Sequence, residues 1–107
     1  MELLCKTEQI EDRDARSFDT PKGEVIVTQR DGVFYAYLNR CPHLGISLEF
    51  QEQQFMDMDR EFLVCANHGA LFQVDNGECV FGPCKNQSLT PIAIAVHSDG
   101  GIYLLDA

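Results

Sequence analysis

The sequence predicts an all-β protein, and three hairpin signals carry that prediction. Glu24 to Arg30, with Val25, Ile26, Val27 and Thr28, ends at Asp31-Gly32 and is followed by Val33 to Leu38 with Phe34, Tyr35 and Tyr37. The pattern recurs as Leu71 to Val74, Asp75-Asn76-Gly77 and Glu78 to Phe81, and again as Ile92 to His97, Ser98-Asp99-Gly100-Gly101 and Ile102 to Leu105. β-branched and aromatic runs split by Asp-Gly or similar pairs are hairpins, because such turns need positive φ at their central residues. Three of them within one short chain leave no room for another fold class.

The chain has 107 residues, the size of one domain, and its hydrophobic fraction of 45% is that of a folded protein. No repeat, low-complexity tract or linker divides it, so a single domain over residues 1–107 is expected. Leu3 to Lys6 reads as a short first strand. Ile10 to Gly23 is polar, carries Pro21 near its end, and reads as a loop with at most one helical turn. Phe62 to Val64 reads as a strand that delivers Cys65. Leu48 to Glu61 has no clear period, with Gln53 to Asp57 as a candidate short strand. In Ile92 to His97, the residues Ile92, Ile94 and Val96 are expected to face the core, leaving His97 on the other face as a non-ligand.

Composition narrows the function classes. Eight basic against 17 acidic residues give a net charge of −9, which excludes nucleic acid as an obvious partner and serves either solubility or docking to a positively charged redox partner. No apolar run is long enough to cross a membrane. Met1-Glu2-Leu3-Leu4-Cys5-Lys6 has neither the basic nor the apolar region of a secretory signal, and nothing before Leu-Leu-Cys directs export as a lipoprotein, so a soluble cytoplasmic protein is expected. The five cysteines form an odd set without an export signal, which argues against a disulfide framework. Cys5, Cys79 and Cys84 read as small apolar filler, with Cys84 in Gly82-Pro83-Cys84 the one to watch near a site.

The chemistry concentrates between Cys41 and His68. Cys41-Pro42-His43-Leu44-Gly45 and Cys65-Ala66-Asn67-His68-Gly69 place two thiols and two imidazoles in two short loops, each followed by glycine. Side chains so close in sequence converge on one centre only from turns, since neighbours on a strand alternate faces. Zinc sites usually pair C-x₂₋₄-C with H-x₃₋₅-H, whereas each pair here holds one Cys and one His. That pairing fits a [2Fe–2S] centre with two thiolates on one iron and two imidazoles on the other. A structural zinc module is the lesser alternative.

These residues resemble the Rieske [2Fe–2S] family, whose motif is C-x-H-x-G followed by C-x-x-H-G. The similarity runs from about Val25 to Leu105. It includes Gly69-Ala70-Leu71-Phe72, Gly77-Glu78-Cys79, Gly82-Pro83 and Leu89-Thr90-Pro91-Ile92. It implies an antiparallel β sandwich or barrel-like base carrying a smaller cluster-binding subdomain, here about Asn39 to Cys84. It implies that Cys41 and Cys65 bind the inner iron and His43 and His68 the outer one. Exposed imidazole ligands further imply a reduction potential that becomes pH-dependent at alkaline pH.

Departures from the respiratory branch of that family narrow the reading. Ile46 and Asn67 stand where that branch has disulfide cysteines, and Ala70 and Phe72 stand where it has hydroxyl donors to sulfur. Fewer donors disfavour the reduced state, so a potential of roughly −150 mV is expected. The segment between His43 and Cys65 holds 21 residues, longer than in short ferredoxin-like members, with the excess in Glu49 to Arg60. The resemblance implies a one-electron carrier, without catalytic residues of its own, between a flavin-containing reductase and a terminal oxygenase. The alternative is the small subunit of an assimilatory nitrite reductase beside a siroheme-containing large subunit. The 2-His-1-carboxylate iron site of oxygenase large subunits has no histidines left to build it, since only His97 remains.

Overall fold

The computed structural model describes residues 2–40, 55–57, 60–65, 69–82 and 87–105. Among the described residues, nine strands form three antiparallel three-stranded sheets: β1 (Glu2–Lys6), β9 (Gly101–Leu104) and β8 (Ile94–Val96) in that order; β2 (Ala15–Thr20), β3 (Gly23–Arg30) and β4 (Val33–Leu38); and β5 (Phe62–Cys65), β6 (Ala70–Gln73) and β7 (Cys79–Phe81).

The middle sheet is a shared wall between two cores. Along β3, Val25, Ile26 and Val27 are all fully buried, which explains an uninterrupted apolar run where a one-sided strand would alternate. Ile26 joins Ala15, Tyr37, Leu63, Phe72, Val74 and Leu89 in the core toward the β5–β6–β7 sheet. Val25 and Val27 join Cys5, Ile10, Ala36 and Ile102 in the core toward the β1–β9–β8 sheet. Thr28 is buried as well, and its hydroxyl donates to the Asp14 carbonyl at 2.7 Å.

All three hairpins form. At the β3–β4 turn, Asp31 (φ 53°) and Gly32 (φ 85°) adopt the left-handed pair that a type I′ turn requires. The Asp31 N–H is held by the Asp12 carboxylate at 2.8 Å. At the β6–β7 turn, Gly77 (φ 73°) lies against the Tyr37 ring, and a Cβ there would stand 2.8 Å from Tyr37 Cε1. At the β8–β9 turn the Asp99 carboxylate accepts from Gly101 N–H at 2.8 Å, a charged bond that holds its pKa below the usual carboxylate range.

Two sequence expectations are corrected. The loop expected over Ile10 to Gly23 contains β2, which pairs with β3 from Ala15↔Thr28 to Thr20↔Gly23. Its residues are mostly polar because it is an edge strand, with only Ala15 fully buried. Ile10, at the start of that segment, is a core residue, and a 3-10 turn at Thr7–Gln9 lies before the segment in which a helical turn was expected. The third hairpin is also shorter than expected. Ile92 and Ile94 pack on the base core, but Val96 is 49% exposed at the end of edge strand β8. His97 is exposed, stacking on Tyr103 with centroids 4.4 Å apart.

Part of the long segment between the ligand pairs also has a place. Met56 bridges Leu63, Asp57 N–H donates to the Phe62 carbonyl at 3.0 Å, and Val64 N–H donates to the Phe55 carbonyl at 2.8 Å. These residues line the outer edge of β5, and Phe55 is sunk into the core at 1% exposure. Of the short strand expected over Gln53 to Asp57, residues 53 and 54 lie outside the described residues. The carboxylate of Asp57 caps the turn that follows, accepting from Glu61 N–H at 2.8 Å and Phe62 N–H at 3.2 Å.

Candidate metal centre

β5 ends on Cys65, whose side chain is fully buried and points into the core with Leu63, Ala70 and Phe72. Cys65 pairs across the ladder with Ala70, so the chain leaves and re-enters the sheet at adjacent points. Gly69 N–H donates to the Cys65 carbonyl at 2.8 Å, and Gly69 takes φ 66°, which glycine adopts without strain.

The first pair follows β4. The strand end is pinned by Leu38 N–H to the Thr90 carbonyl (2.9 Å), Asn39 N–H to Glu24 (2.8 Å) and Arg40 N–H to Leu38 (2.8 Å). Cys41 is the next residue. Cys41, His43 and His68 lie outside the described residues, as do Ile46, Asn67 and Cys84. Among the described residues no group of three or more His, Cys, Asp or Glu gathers to hold a metal.

A third segment approaches the same end of the sheet. Gly82 (φ 106°) crosses so close to Ala70 that a Cβ on it would lie 2.8 Å from Ala70 Cα. β7, the Cys65–Ala70 pair and the start of the Gly82-Pro83 loop are thus packed as one piece. Ala70 and Phe72 are both buried without a hydroxyl to offer sulfur.

The other cysteines behave as apolar filler where they are described. Cys5 is buried and burial pushes its thiol up to about 11. Cys79 is buried and its thiol donates to the Phe81 carbonyl at 3.3 Å. An open groove of about 380 Å³, lined by Phe34, Tyr35, Tyr37, Asp75, Pro91 and Ile92, has one carboxylate but no nucleophile beside a base among its lining residues.

The described part of the donor set fits an iron–sulfur centre. A thiol sealed from water in an apolar wall suits a soft, metal-bound thiolate. The match to known families decides the matter: the model of the Rieske [2Fe–2S] domain aligns with residues 1–102. The chain belongs to the Rieske [2Fe–2S] family. Its cofactor is a [2Fe–2S] cluster, which displaces the zinc alternative.

Individual relatives agree. The ferredoxin component of the alkene monooxygenase system of Xanthobacter autotrophicus is 29% identical over 75 residues, spanning 70% of this chain and 58% of that protein. The ferredoxin of carbazole 1,9a-dioxygenase from Nocardioides aromaticivorans IC177 superposes with a TM-score of 0.76 at 20% identity, covering 95% of this chain and 93% of its own. The terminal oxygenase of the same system contains a similar fold, with a TM-score of 0.79 at 15% identity over 99% of this chain and 30% of the oxygenase. These likenesses establish the Rieske fold.

Among the described residues no helix is long and apolar enough to cross a membrane.

Three features of this Rieske domain were not singled out from its sequence. Phe55 stood in a segment without periodicity, Tyr37 read as one aromatic among several, and Gly82 read only as part of a Gly-Pro pair. Phe55 and Gly82 are defined by contacts with strands distant in sequence, which local pattern does not encode.

Proposed function

We propose that this chain is the one-electron carrier of a Rieske-type oxygenase system, taking electrons from a flavin-containing reductase and passing them to a terminal oxygenase. The observation that carries the proposal is the relationship to an oxygenase-system ferredoxin component over 75 residues, on a chain whose Rieske match spans residues 1–102. Ferredoxins of this fold are described in complex with the oxygenase of carbazole 1,9a-dioxygenase.

In this reading Cys41 and Cys65 hold one iron and His43 and His68 the other, within one domain whose cluster-binding part spans about Asn39 to Cys84. The bound cluster supplies uptake and release of a single electron. The chain contributes the rest. β5 and β6 hold Cys65 in a dry, apolar wall, and the pinned end of β4 fixes where the first loop starts. A net charge of −9 draws a basic partner surface to the molecule.

The test is transfer from the dithionite-reduced holoprotein to an oxidised Rieske-type terminal oxygenase, followed by the visible spectra of both. The proposal expects second-order transfer that slows as salt rises. Reduced protein that stays reduced beside the oxygenase rejects the carrier role.

A further inference from the structure

We infer that Phe81 is the apolar contact through which the electron-accepting oxygenase docks beside the cluster, an inference that rests on the carrier role proposed above. Phe81 is 63% exposed and is the one aromatic among the exposed large hydrophobic residues described. It closes β7, opposite Leu71, which in turn lies opposite Val64. Paired residues share a sheet face, so Val64, Leu71 and Phe81 form an apolar row on the face away from Cys65 and Ala70. Val64 and Leu71 are half-buried, and Phe81 projects furthest into water.

The row lies at the cluster end of the sheet. Cys65 and Val64 are adjacent on β5, and Phe81 is two strands away, about 10 Å at ordinary strand spacing. Gly82 fixes that position: its contact with Ala70 ties the residue after Phe81 to the strand partner of Cys65. A specific protein interface covers about 800 Å² on each partner, a disc roughly 16 Å in radius. A partner centred on the end of β5 at Cys65 therefore covers Phe81 as well. Aromatic side chains that pass from water into such an interface carry a disproportionate share of its binding energy. The acidic surface and Phe81 then divide the work. Net charge brings a basic partner in from a distance, and Phe81 gives a short-range contact that salt does not screen.

Stopped-flow mixing of reduced holoprotein with the oxidised terminal oxygenases of the carbazole 1,9a-dioxygenases from Nocardioides aromaticivorans IC177 and Novosphingobium sp. KA1 tests this, using wild type, Phe81→Ser and Phe81→Leu. Phe81→Ser should slow transfer about tenfold, as expected for an interface hot spot, with Phe81→Leu recovering most of the rate. The salt dependence, the ferricyanide oxidation rate and the electron paramagnetic resonance spectrum should not change. Unchanged transfer from Phe81→Ser overturns the docking role and leaves the carrier role standing. A parallel loss of rate with ferricyanide, or an altered spectrum, assigns Phe81 to the cluster's surroundings and also overturns it. Wild-type self-association that Phe81→Ser abolishes assigns the residue to a contact between copies. Failure of wild type to reduce either oxygenase removes both proposals together.

Discussion

Tyr37→Phe removes a single oxygen, and the structure says what that oxygen does. The Tyr37 hydroxyl donates to the Val74 carbonyl at 2.6 Å, tying the middle sheet to the end of β6. Tyr37 is 3% exposed and Val74 2%, so water has no route to replace the lost donor. The ring cannot shift to compensate, because Gly77 is packed on its edge. The same burial, with Asp75 nearby, holds the phenol well above its usual pKa, so it stays a donor at any working pH. Leaving a buried carbonyl unsatisfied costs about 1–3 kcal/mol, with ~2 kcal/mol a fair centre for this site. For a domain of this size that corresponds to a fall in Tm of roughly 8–10 °C. Differential scanning calorimetry of the holoprotein and Tyr37→Phe reads it directly. A shift of less than about 2 °C would mean that the Val74 carbonyl finds another partner and that the bond does not couple the sheets.

Other expectations are as direct. Gly82→Ala places a Cβ against the Ala70 backbone at a φ of 106° and should destabilise by about 2 kcal/mol, read as a lower urea midpoint. Cys5 keeps its proton up to about pH 11 when folded but ionises near 9.0 when unfolded, so its share of stability is intact below pH 9 and lost between pH 9 and 11. Chemical denaturation across that range should show a shallower alkaline decline for Cys5→Ala than for wild type; equal slopes would contradict it. With Ala70 and Phe72 offering no hydroxyl to sulfur, protein-film voltammetry should give a potential of roughly −150 mV, and a clearly positive value would reject that reasoning. His43→Ala and His68→Ala should each abolish the normal cluster spectrum, whereas His97→Ala should leave it intact.

The fold was most legible where the backbone itself makes the demand. Asp31-Gly32 and Asp75-Asn76-Gly77 announce hairpins because few other residues take positive φ, and both turns form where the sequence places them. β2 is not legible in the sequence, because an edge strand with one buried residue has the composition of a polar loop. Val96 continued an alternating pattern past the point where any neighbour covers it, so its exposure follows from the sheet's edge and not from its own side chain. The family was legible through the one-Cys, one-His composition of each motif. Of those four residues Cys65 alone is described, and it is buried at the end of a strand. Phe55, by contrast, packs in a core with residues from distant strands, and nothing in its flanking glutamines announces it.

The central claim is that two thiolates and two imidazoles of this chain hold a [2Fe–2S] cluster that carries one electron. Electron paramagnetic resonance of the dithionite-reduced protein, with iron and acid-labile sulfide measured on the same sample, tests it most directly. The account predicts equal iron and sulfide and the low-average-g signal of a mixed thiolate and imidazole cluster. Bound zinc without iron or sulfide, or the signal of an all-thiolate cluster, would contradict it.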